Sequence, residues 1–205
     1  MKGMIKASDG KTMDLKKIRK AMEKTLDAQR YEHTLGVSYT AAALAMRYSA
    51  DIRKAQLAGM LHDCAKCLTN EKKFQICEKH NISINDAERK NPSLLHAKVG
   101  SFLAMEEYHV TDPDVINAIL NHTTGRPGMS VLEKIVYIAD YIEPARKQAP
   151  NLGEIRRLAF EDLDKALIKI LSDTLDYLKE IGGEIDPMTG KTYEYYVKEE
   201  ALEEK

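Results

Sequence analysis

Apolar residues recur at three- and four-residue steps along most of this chain, which is the spacing of one face of an α-helix. Near the start, the first such series is Leu15, Ile18 and Met22. The next series is Leu35, Tyr39, Ala42 and Met46. A break near Gln29-Arg30-Tyr31 separates the two series and predicts two helices.

Caps and prolines divide the rest of the chain into further helices. Asp51 is the predicted cap of a helix that runs to Leu61, Asp112-Pro113 begins another, and Ser130 with Glu133 forms a capping box for a helix ending at Pro144. The remaining predicted helices are Asn70–Lys79, Pro92–Tyr108 and Gly153–Ile181, with a short strand at Thr192–Val197 as the only β candidate. The pattern predicts an all-α bundle of about eight to ten helices. We expect one domain over residues 12–183 and a partly ordered C-terminal tail over 184–205.

The composition narrows the classes of protein and of partner. The 205 residues are 43% hydrophobic and 31% charged, which suits one globular domain. A net charge of -1 gives no basic surface for nucleic acid, and no apolar run is long enough for a membrane span or a secretion signal. The three cysteines do not form a disulfide framework. These features predict a cytoplasmic protein without nucleic-acid or membrane partners.

Several titratable residues follow or interrupt apolar stretches that should carry them into the interior. The pair His62-Asp63 follows an apolar segment, Asp140 lies inside the run Ile135–Ile142, and His33 begins a further apolar face. A buried carboxylate is costly unless a positive charge compensates it, and mixed imidazole and carboxylate ligands suit Fe, Mn, Zn or Co rather than Ca. We therefore predict a metal site formed by His33, His62, Asp63 and Asp140. For each residue taken singly, a hydrogen-bonded core side chain is the alternative.

A different set of ligands is also conceivable. Cys64, Cys67, Cys77 and His80 are spaced as C-x-x-C and C-x-x-H, which resembles a structural zinc site. The residues between the two pairs have a helical pattern, and Cys64 is directly next to Asp63. We favour the interpretation that the cysteines are reduced and fill small spaces.

Cationic residues near these ligands suggest a phosphate substrate. Lys66 lies one helical turn after Asp63, where it could bind a phosphate oxygen or simply pair with that carboxylate. The loop after His122 contains Thr123 and Arg126, a plausible anion contact, and Arg146 follows the helix of Asp140.

These residues together resemble the YqeK family of HD-domain metal-dependent phosphohydrolases. The signature His…His-Asp…Asp is matched by His33, His62-Asp63 and Asp140. The longer matching segments are Arg30–Thr34, His62–Lys66, Leu95–Gly100, His122–Met129, Leu132–Tyr137 and Ala139–Arg146. The resemblance covers roughly Ile18 to Glu180, and the segments from His122 to Arg146 are its most specific part.

The resemblance implies a fold, an activity and a cofactor. The fold would be an HD-domain helical bundle, and the activity would be symmetrical hydrolysis of diadenosine tetraphosphate to two ADP. The metal would be iron, with Mn, Co or Zn as alternatives, held by the residues matching His33, His62, Asp63 and Asp140. His96 and His122 would line the phosphate site or hold a second ion. Asp63 and Lys66 are the predicted catalytic residues, and the predicted substrate-binding residues are His33, Asp63, Lys66, His96, His122, Thr123, Asp140 and Arg146.

The residues alone are also compatible with two other functions. An HD-domain enzyme of the same construction could act as a nucleotidase or on deoxynucleoside triphosphates or guanosine polyphosphate alarmones. A non-catalytic nucleotide sensor is the alternative from another class. The amphipathic C-terminal helix could pair two subunits in a homodimer or pack on its own core.

Overall fold

The fold is an assembly of α-helices joined by short turns, seen in a computed structural model that describes residues 14–203. Within these residues there are eleven α-helices, one 3₁₀ turn and no strand. The helices are α1 (Leu15–Thr25), α2 (Ala28–Arg47), α3 (Ile52–Leu61), α4 (Asn70–Lys79), α5 (Asp86–Lys90), α6 (His96–Glu106), α7 (Pro113–Asn121), α8 (Val131–Ile142), α9 (Leu152–Glu161), α10 (Leu163–Glu180) and α11 (Pro187–Glu203), with the 3₁₀ turn at Pro92–Leu95 before α6. The all-α prediction is confirmed. None of the described helices combines the length and apolar character of a membrane span.

The helices that were predicted from the capping residues Asp51 and Ser130 begin at the predicted positions. Asp51 accepts hydrogen bonds from the amides of Arg53 and Lys54 at the start of α3. Ser130 and Glu133 form the predicted capping box at the start of α8. These side chains satisfy amides that have no partner within their own helix, so the chain itself fixes where the helices begin.

Three boundaries differ from the predictions. The break between α1 and α2 falls at Leu26-Asp27 rather than near Gln29–Tyr31, because Asp27 accepts from the amide of Arg30 and caps α2. The single helix predicted over 153–181 is divided at Asp162, whose extended backbone ends α9 and whose side chain caps α10. The helix predicted from Pro92 begins with a 3₁₀ turn instead. In each case a local polar side chain or proline overrides the apolar periodicity.

The C-terminal segment is helical, and the predicted strand at Thr192–Val197 is wrong. α11 packs against α10 and buries Thr192 and Tyr196. Aromatic and β-branched side chains favour strands only weakly, and packing onto an existing helix decides the outcome here. The described residues do not test the division at residue 183, which stays a prediction.

The core lies between α2, α3, α7, α8 and α10, where α8 is buried along most of its length. The predicted apolar face of α2 is partly wrong, because Tyr39 and Met46 are exposed. The buried face carries the smaller residues Val37, Ala41 and Ala45, which allow α3 to approach closely.

Gly59 lies at the closest approach of α2 and α3. A methyl group built on Gly59 would lie 2.9 Å from the Cα atom of Ser38, a backbone atom that cannot move alone. We predict that Gly59→Ala lowers the free energy of unfolding by about 1–3 kcal/mol, measured by urea denaturation, through overpacking.

Gly153→Ala is the matched control, because a methyl group built on Gly153 meets no atom within 4 Å. In helix α9 this substitution should stabilise the protein by about 0.5–1 kcal/mol. Equal effects of the two substitutions would contradict the close contact between α2 and α3.

Candidate metal centre and active site

Three buried histidines at helix ends are oriented by backbone carbonyl groups. His62 follows α3, His96 begins α6 and His122 follows α7. The Nδ1 atom of each ring lies close to the carbonyl oxygen three residues earlier: Gly59 at 2.7 Å, Ser93 at 2.6 Å and Ile119 at 2.7 Å, respectively. A carbonyl oxygen can only accept, so each Nδ1 carries the hydrogen and donates it. In its neutral form, a ring oriented in this way presents the lone pair of Nε2 towards the interior.

A fourth histidine, His33 of α2, is oriented by a side chain that the sequence analysis did not propose for the site. Its Nδ1 lies 3.2 Å from Oε1 of Glu143, a buried residue directly after α8. The other carboxylate oxygen of Glu143 accepts from the amide of Ala145 at 2.6 Å. Gly36 leaves space for this carboxylate, since a methyl group there would lie 2.5 Å from Oε2 of Glu143. The only signal in the sequence was the position of Glu143 between Ile142 and Pro144, inside the matching segment.

The first group of ligand atoms joins two histidines and two carboxylates. The Nε2 atom of His33 lies 3.0 Å from Oδ1 of Asp140 and 3.9 Å from Oδ2 of Asp63. The Nε2 atom of His62 lies 3.9 Å and 3.5 Å from the same two oxygens, respectively. The structure therefore brings together all the residues predicted as ligands of the first metal.

A second group forms on the other oxygen of Asp63. Oδ1 lies 3.3 Å from Nε2 of His96 and 3.7 Å from Nε2 of His122. The two Nε2 atoms are only 3.1 Å apart. Because both rings donate through Nδ1, two lone pairs face each other when the rings are neutral. A cation, a proton or a neighbouring donor such as the hydroxyl of Thr123 relieves this repulsion.

The unpaired atoms of the cluster fit a divalent metal. Nε2 of His33, Nε2 of His62 and Oδ1 of Asp63 are buried without a hydrogen-bond partner. The 3.0 Å contact of His33 with Asp140 is short but is not aligned as a hydrogen bond. Such unpaired atoms cost about 1–3 kcal/mol each. Ligands about 2 Å from one ion lie roughly 3–4 Å apart, which matches the separations in both groups. The mixed nitrogen and oxygen donors suit a transition metal.

For Asp63 and His96, the surroundings favour the protonation states that metal binding requires. His33 differs: burial acts to lower its pKa, but the carboxylates of Asp140 and Glu143 reverse this effect and raise that pKa above its usual value. Burial acts to raise the pKa of Asp63, but the neighbouring imidazoles, His62 above all, reverse this effect and hold that pKa well below its usual value. Burial lowers the pKa of His96 well below its usual value, and the nearby charge of Lys66 adds to the effect. An ionised Asp63 and a neutral His96 are the ligand forms of these residues.

Cationic side chains surround the cluster on its open side. Nζ of Lys66 lies 3.4 Å from Nε2 of His96, and a guanidinium nitrogen of Arg146 donates to Oδ1 of Asp140 at 3.0 Å. Arg30 donates to Oδ2 of Asp63 at 2.8 Å. Arg30 belongs to the matching segment Arg30–Thr34, but the sequence does not predict it as a site residue, because Arg30 and Asp63 are far apart in the chain.

These groups share a cavity of about 240 Å³. It is lined by Arg30, Asp63, Lys66, His96, His122, Thr123, Tyr137, Asp140, Tyr141, Arg146, Ile170 and Thr174. The hydroxyl oxygen of Thr123 lies 3.1 Å from Nε2 of His96 and 3.2 Å from Nε2 of His122. The residues predicted as substrate-binding thus lie in or against one open pocket with a cationic rim.

Arg126, proposed as an anion contact, has a different role. Its guanidinium group donates two 2.7 Å hydrogen bonds to the two carboxylate oxygens of the buried Glu133. This bidentate pair occupies the arginine and ties the loop after His122 to the start of α8.

The alternative zinc site is not formed. Cys64 and Cys77 are buried and Cys67 is exposed. The ring of His80 packs on Phe102, with 4.3 Å between ring centroids. Across residues 14–203, the groups of ligand atoms close enough to share an ion contain histidine and aspartate but no cysteine.

A family model described as the HD domain matches residues 30–145, the part of the chain that contains both groups of ligands. With the helical fold and the histidine and aspartate cluster, this match defines the class of protein. The chain belongs to the HD-domain family.

Relatives narrow the class to the YqeK-type branch that the sequence resembled. Three curated proteins carry the name "Bis(5'-nucleosyl)-tetraphosphatase, symmetrical". The one from Bacillus subtilis is 42% identical over 86% of this chain and 94% of its own length. The protein from Halalkalibacterium halodurans is 45% identical over 82% of this chain and 89% of its own length. The protein from Staphylococcus aureus is 37% identical over 81% of this chain and 86% of its own length.

A solved structure supports the same assignment. The crystal structure of a predicted HD superfamily hydrolase involved in NAD metabolism from Clostridium acetobutylicum has a TM-score of 0.89 with this chain at 41% identity. The match covers 92% of this chain and 100% of the other.

Glu143 offers a direct test of how the first group is oriented. We predict that Glu143→Gln lowers metal affinity about 10–100-fold. One oxygen of the Glu143 carboxylate accepts from His33 and the other accepts from the amide of Ala145, whereas the glutamine side chain has only one oxygen to accept with. Competition with a chromogenic chelator measures this affinity, and circular dichroism should show unchanged helicity. The exposed Glu106, changed to Gln, is the control. Equal affinities for the two variants would show that Glu143 does not orient a ligand.

Proposed function

We propose that this protein is a metal-dependent hydrolase that cleaves diadenosine tetraphosphate symmetrically into two ADP. The substrate and the position of cleavage are inferred from the name shared by the three curated relatives, which align with most of this chain. The site supports the same class of reaction through its own chemistry.

The observation that carries the hydrolase proposal is that the ligand cluster and the cationic rim form one wall of the same pocket. Asp63 faces both groups of histidines, while Arg30, Lys66 and Arg146 lie beside the ligand atoms. A polyphosphate entering this pocket would meet positive charge on the side where its phosphorus atom is attacked. Preorganised charge of this kind stabilises the negative charge that develops during phosphoryl transfer.

The size of the cavity limits which part of the substrate can enter. A volume of about 240 Å³ is small compared with pockets of roughly 300–1,000 Å³ that enclose drug-sized ligands. It suits the phosphate chain and leaves the two nucleosides to extend outside. Attack on one inner phosphorus at the cluster, with the bond to the other inner phosphate breaking, would release one ADP as the leaving group and leave the attacked phosphate as the end of the second ADP.

We propose iron as the metal, with Mn, Co or Zn as alternatives, held by His33, His62, Asp63 and Asp140. His96 and His122 with Asp63 would hold a second ion. A bound divalent ion supplies Lewis acidity and makes water acidic enough to act as a nucleophile near neutral pH. The two oxygens of Asp63 face different groups of ligands, so this residue would help to hold an ion in each group or would take the proton from the attacking water at one oxygen.

The remaining polar groups are proposed to hold the phosphate chain. Lys66 and Arg146 would neutralise the phosphoryl oxygens, and Arg30 joins them because it reaches the same pocket. The hydroxyl of Thr123 can donate to a phosphate oxygen beside His96 and His122.

The product assay tests the substrate and the position of cleavage. We expect the protein loaded with Fe²⁺ or Mn²⁺ to convert diadenosine tetraphosphate into ADP alone, as resolved by anion-exchange chromatography. ATP plus AMP would contradict the symmetrical cut. Faster turnover of dATP, a nucleoside monophosphate or guanosine tetraphosphate would favour the other HD-domain enzymes, and binding without turnover of any of these compounds would favour a sensor.

Asp63 tests the dependence of the reaction on the cluster. We predict that Asp63→Ala abolishes turnover and lowers metal content, because both groups of ligands lose their shared carboxylate. Helical circular dichroism should persist. Asp176→Ala, at an exposed position of α10, should behave as the unchanged protein. Normal activity of Asp63→Ala would reject the proposed centre.

A further inference from the structure

The C-terminal helix α11 contacts the loop that carries Thr123. The hydroxyl of Thr192 lies 2.7 Å from the carbonyl oxygen of Met188 in its own helix and 3.1 Å from the carbonyl oxygen of Thr124. One hydrogen is shared between these two acceptors. Thr192 is fully buried, so the contact with Thr124 is shielded from water.

The same loop is in close van der Waals contact with α11. Gly125 has a φ of +64°, and a methyl group built there would lie 2.7 Å from the Cγ2 atom of Thr192. Farther along the loop, the amide of Met129 donates to the hydroxyl of Tyr196 at 2.7 Å. Tyr196 is also buried. Two residues of α11, one helical turn apart, therefore hold the loop near both of its ends.

The start of α11 is tied to the other side of the second ligand group. Asn85 donates to Oδ2 of Asp186 at 2.8 Å, and Oδ1 of Asp186 accepts from the amide of Met188. Asn85 caps α5, which is followed by the 3₁₀ turn whose Ser93 carbonyl orients His96. Helix α11 thus connects the segment before His96 with the segment after His122.

We propose that α11 is a positioning element of the active site, in which Thr192 holds the loop so that Thr123 stays against His96 and His122. The inference rests on the proposed function and assigns α11 no contact with the reacting atoms. Thr123 directly precedes Thr124 in the chain, so we expect a displacement of the Thr124 carbonyl to shift the Thr123 hydroxyl as well. A misplacement of about 1 Å can cost on the order of 100-fold in rate.

The substitution Thr192→Val keeps the shape of the side chain and removes its hydroxyl. We expect kcat/KM for diadenosine tetraphosphate to fall on the order of tenfold while metal content and circular dichroism stay unchanged. Thr192→Ser keeps the hydroxyl and should therefore retain most of the kcat/KM of the unchanged protein. Thr189→Val is the matched control, since Thr189 is a buried threonine of the same helix whose hydroxyl has no hydrogen bond to the loop among the described residues.

A double-mutant cycle with Thr123→Val shows whether Thr192 acts through Thr123. If it does, Thr192→Val should have little further effect on kcat/KM in the Thr123→Val background. The proposal would be overturned if the double variant lost kcat/KM by the product of the two single losses. It would also be overturned if Thr189→Val lost as much kcat/KM as Thr192→Val.

Hydrogen exchange gives a readout that does not depend on turnover. The amides of residues 124–126, 128 and 129 should exchange faster in Thr192→Val and in Tyr196→Phe than in the unchanged protein, but not in Thr189→Val. Unchanged exchange in both variants would overturn the positioning role. If the unchanged protein failed to cleave diadenosine tetraphosphate, the proposed function would be wrong. A crystal structure of Thr192→Val would then decide the inference by whether Thr123 moves away from His96 and His122.

Discussion

The site depends on hydrogen bonds between imidazole Nδ1 atoms and backbone carbonyl groups at helix ends. The last carbonyl groups of a helix have no amide partner within that helix. His62 and His122 satisfy such carbonyls in the last turns of α3 and α7, and the carbonyls in return fix the tautomer and the direction of the rings. Because the acceptors are main-chain atoms, the orientation follows from the fold itself and requires no further side chain.

This arrangement explains why the cluster lies where helices end. α3, α6 and α7 meet with one end each at Asp63, and α2 and α8 complete the cluster through His33 and Asp140. His33 lies inside a helix, where carbonyls already have partners, so its ring needs the side chain of Glu143 instead. The loop after His122 brings Thr123 to the same point and depends on Glu133 and on α11 for its shape.

The sequence predicts those features that single residues or short segments determine. The caps Asp51 and Ser130 specify their own helix starts, and the chemical character of the histidines and aspartates indicates a metal site wherever the chain brings them together. Contacts made across the fold could not be read in this way. The pairing of Arg30 with Asp63, the support of His33 by Glu143 and the helical state of Thr192–Val197 all depend on neighbours distant in sequence. The identity of the metal, the cytoplasmic location and the homodimer stay predictions, since none of them follows from the positions of these side chains.

Arg30 and Arg146 each hold an oxygen of an aspartate in the proposed metal site. Coordination of those oxygens would weaken both ion pairs and leave two guanidinium groups available at the pocket. The binding of a cation and of a polyanion would then be thermodynamically linked, each raising the affinity for the other by the same factor. The apoprotein would hold its nucleotide weakly, and nucleotide in the cell would help to retain the ion.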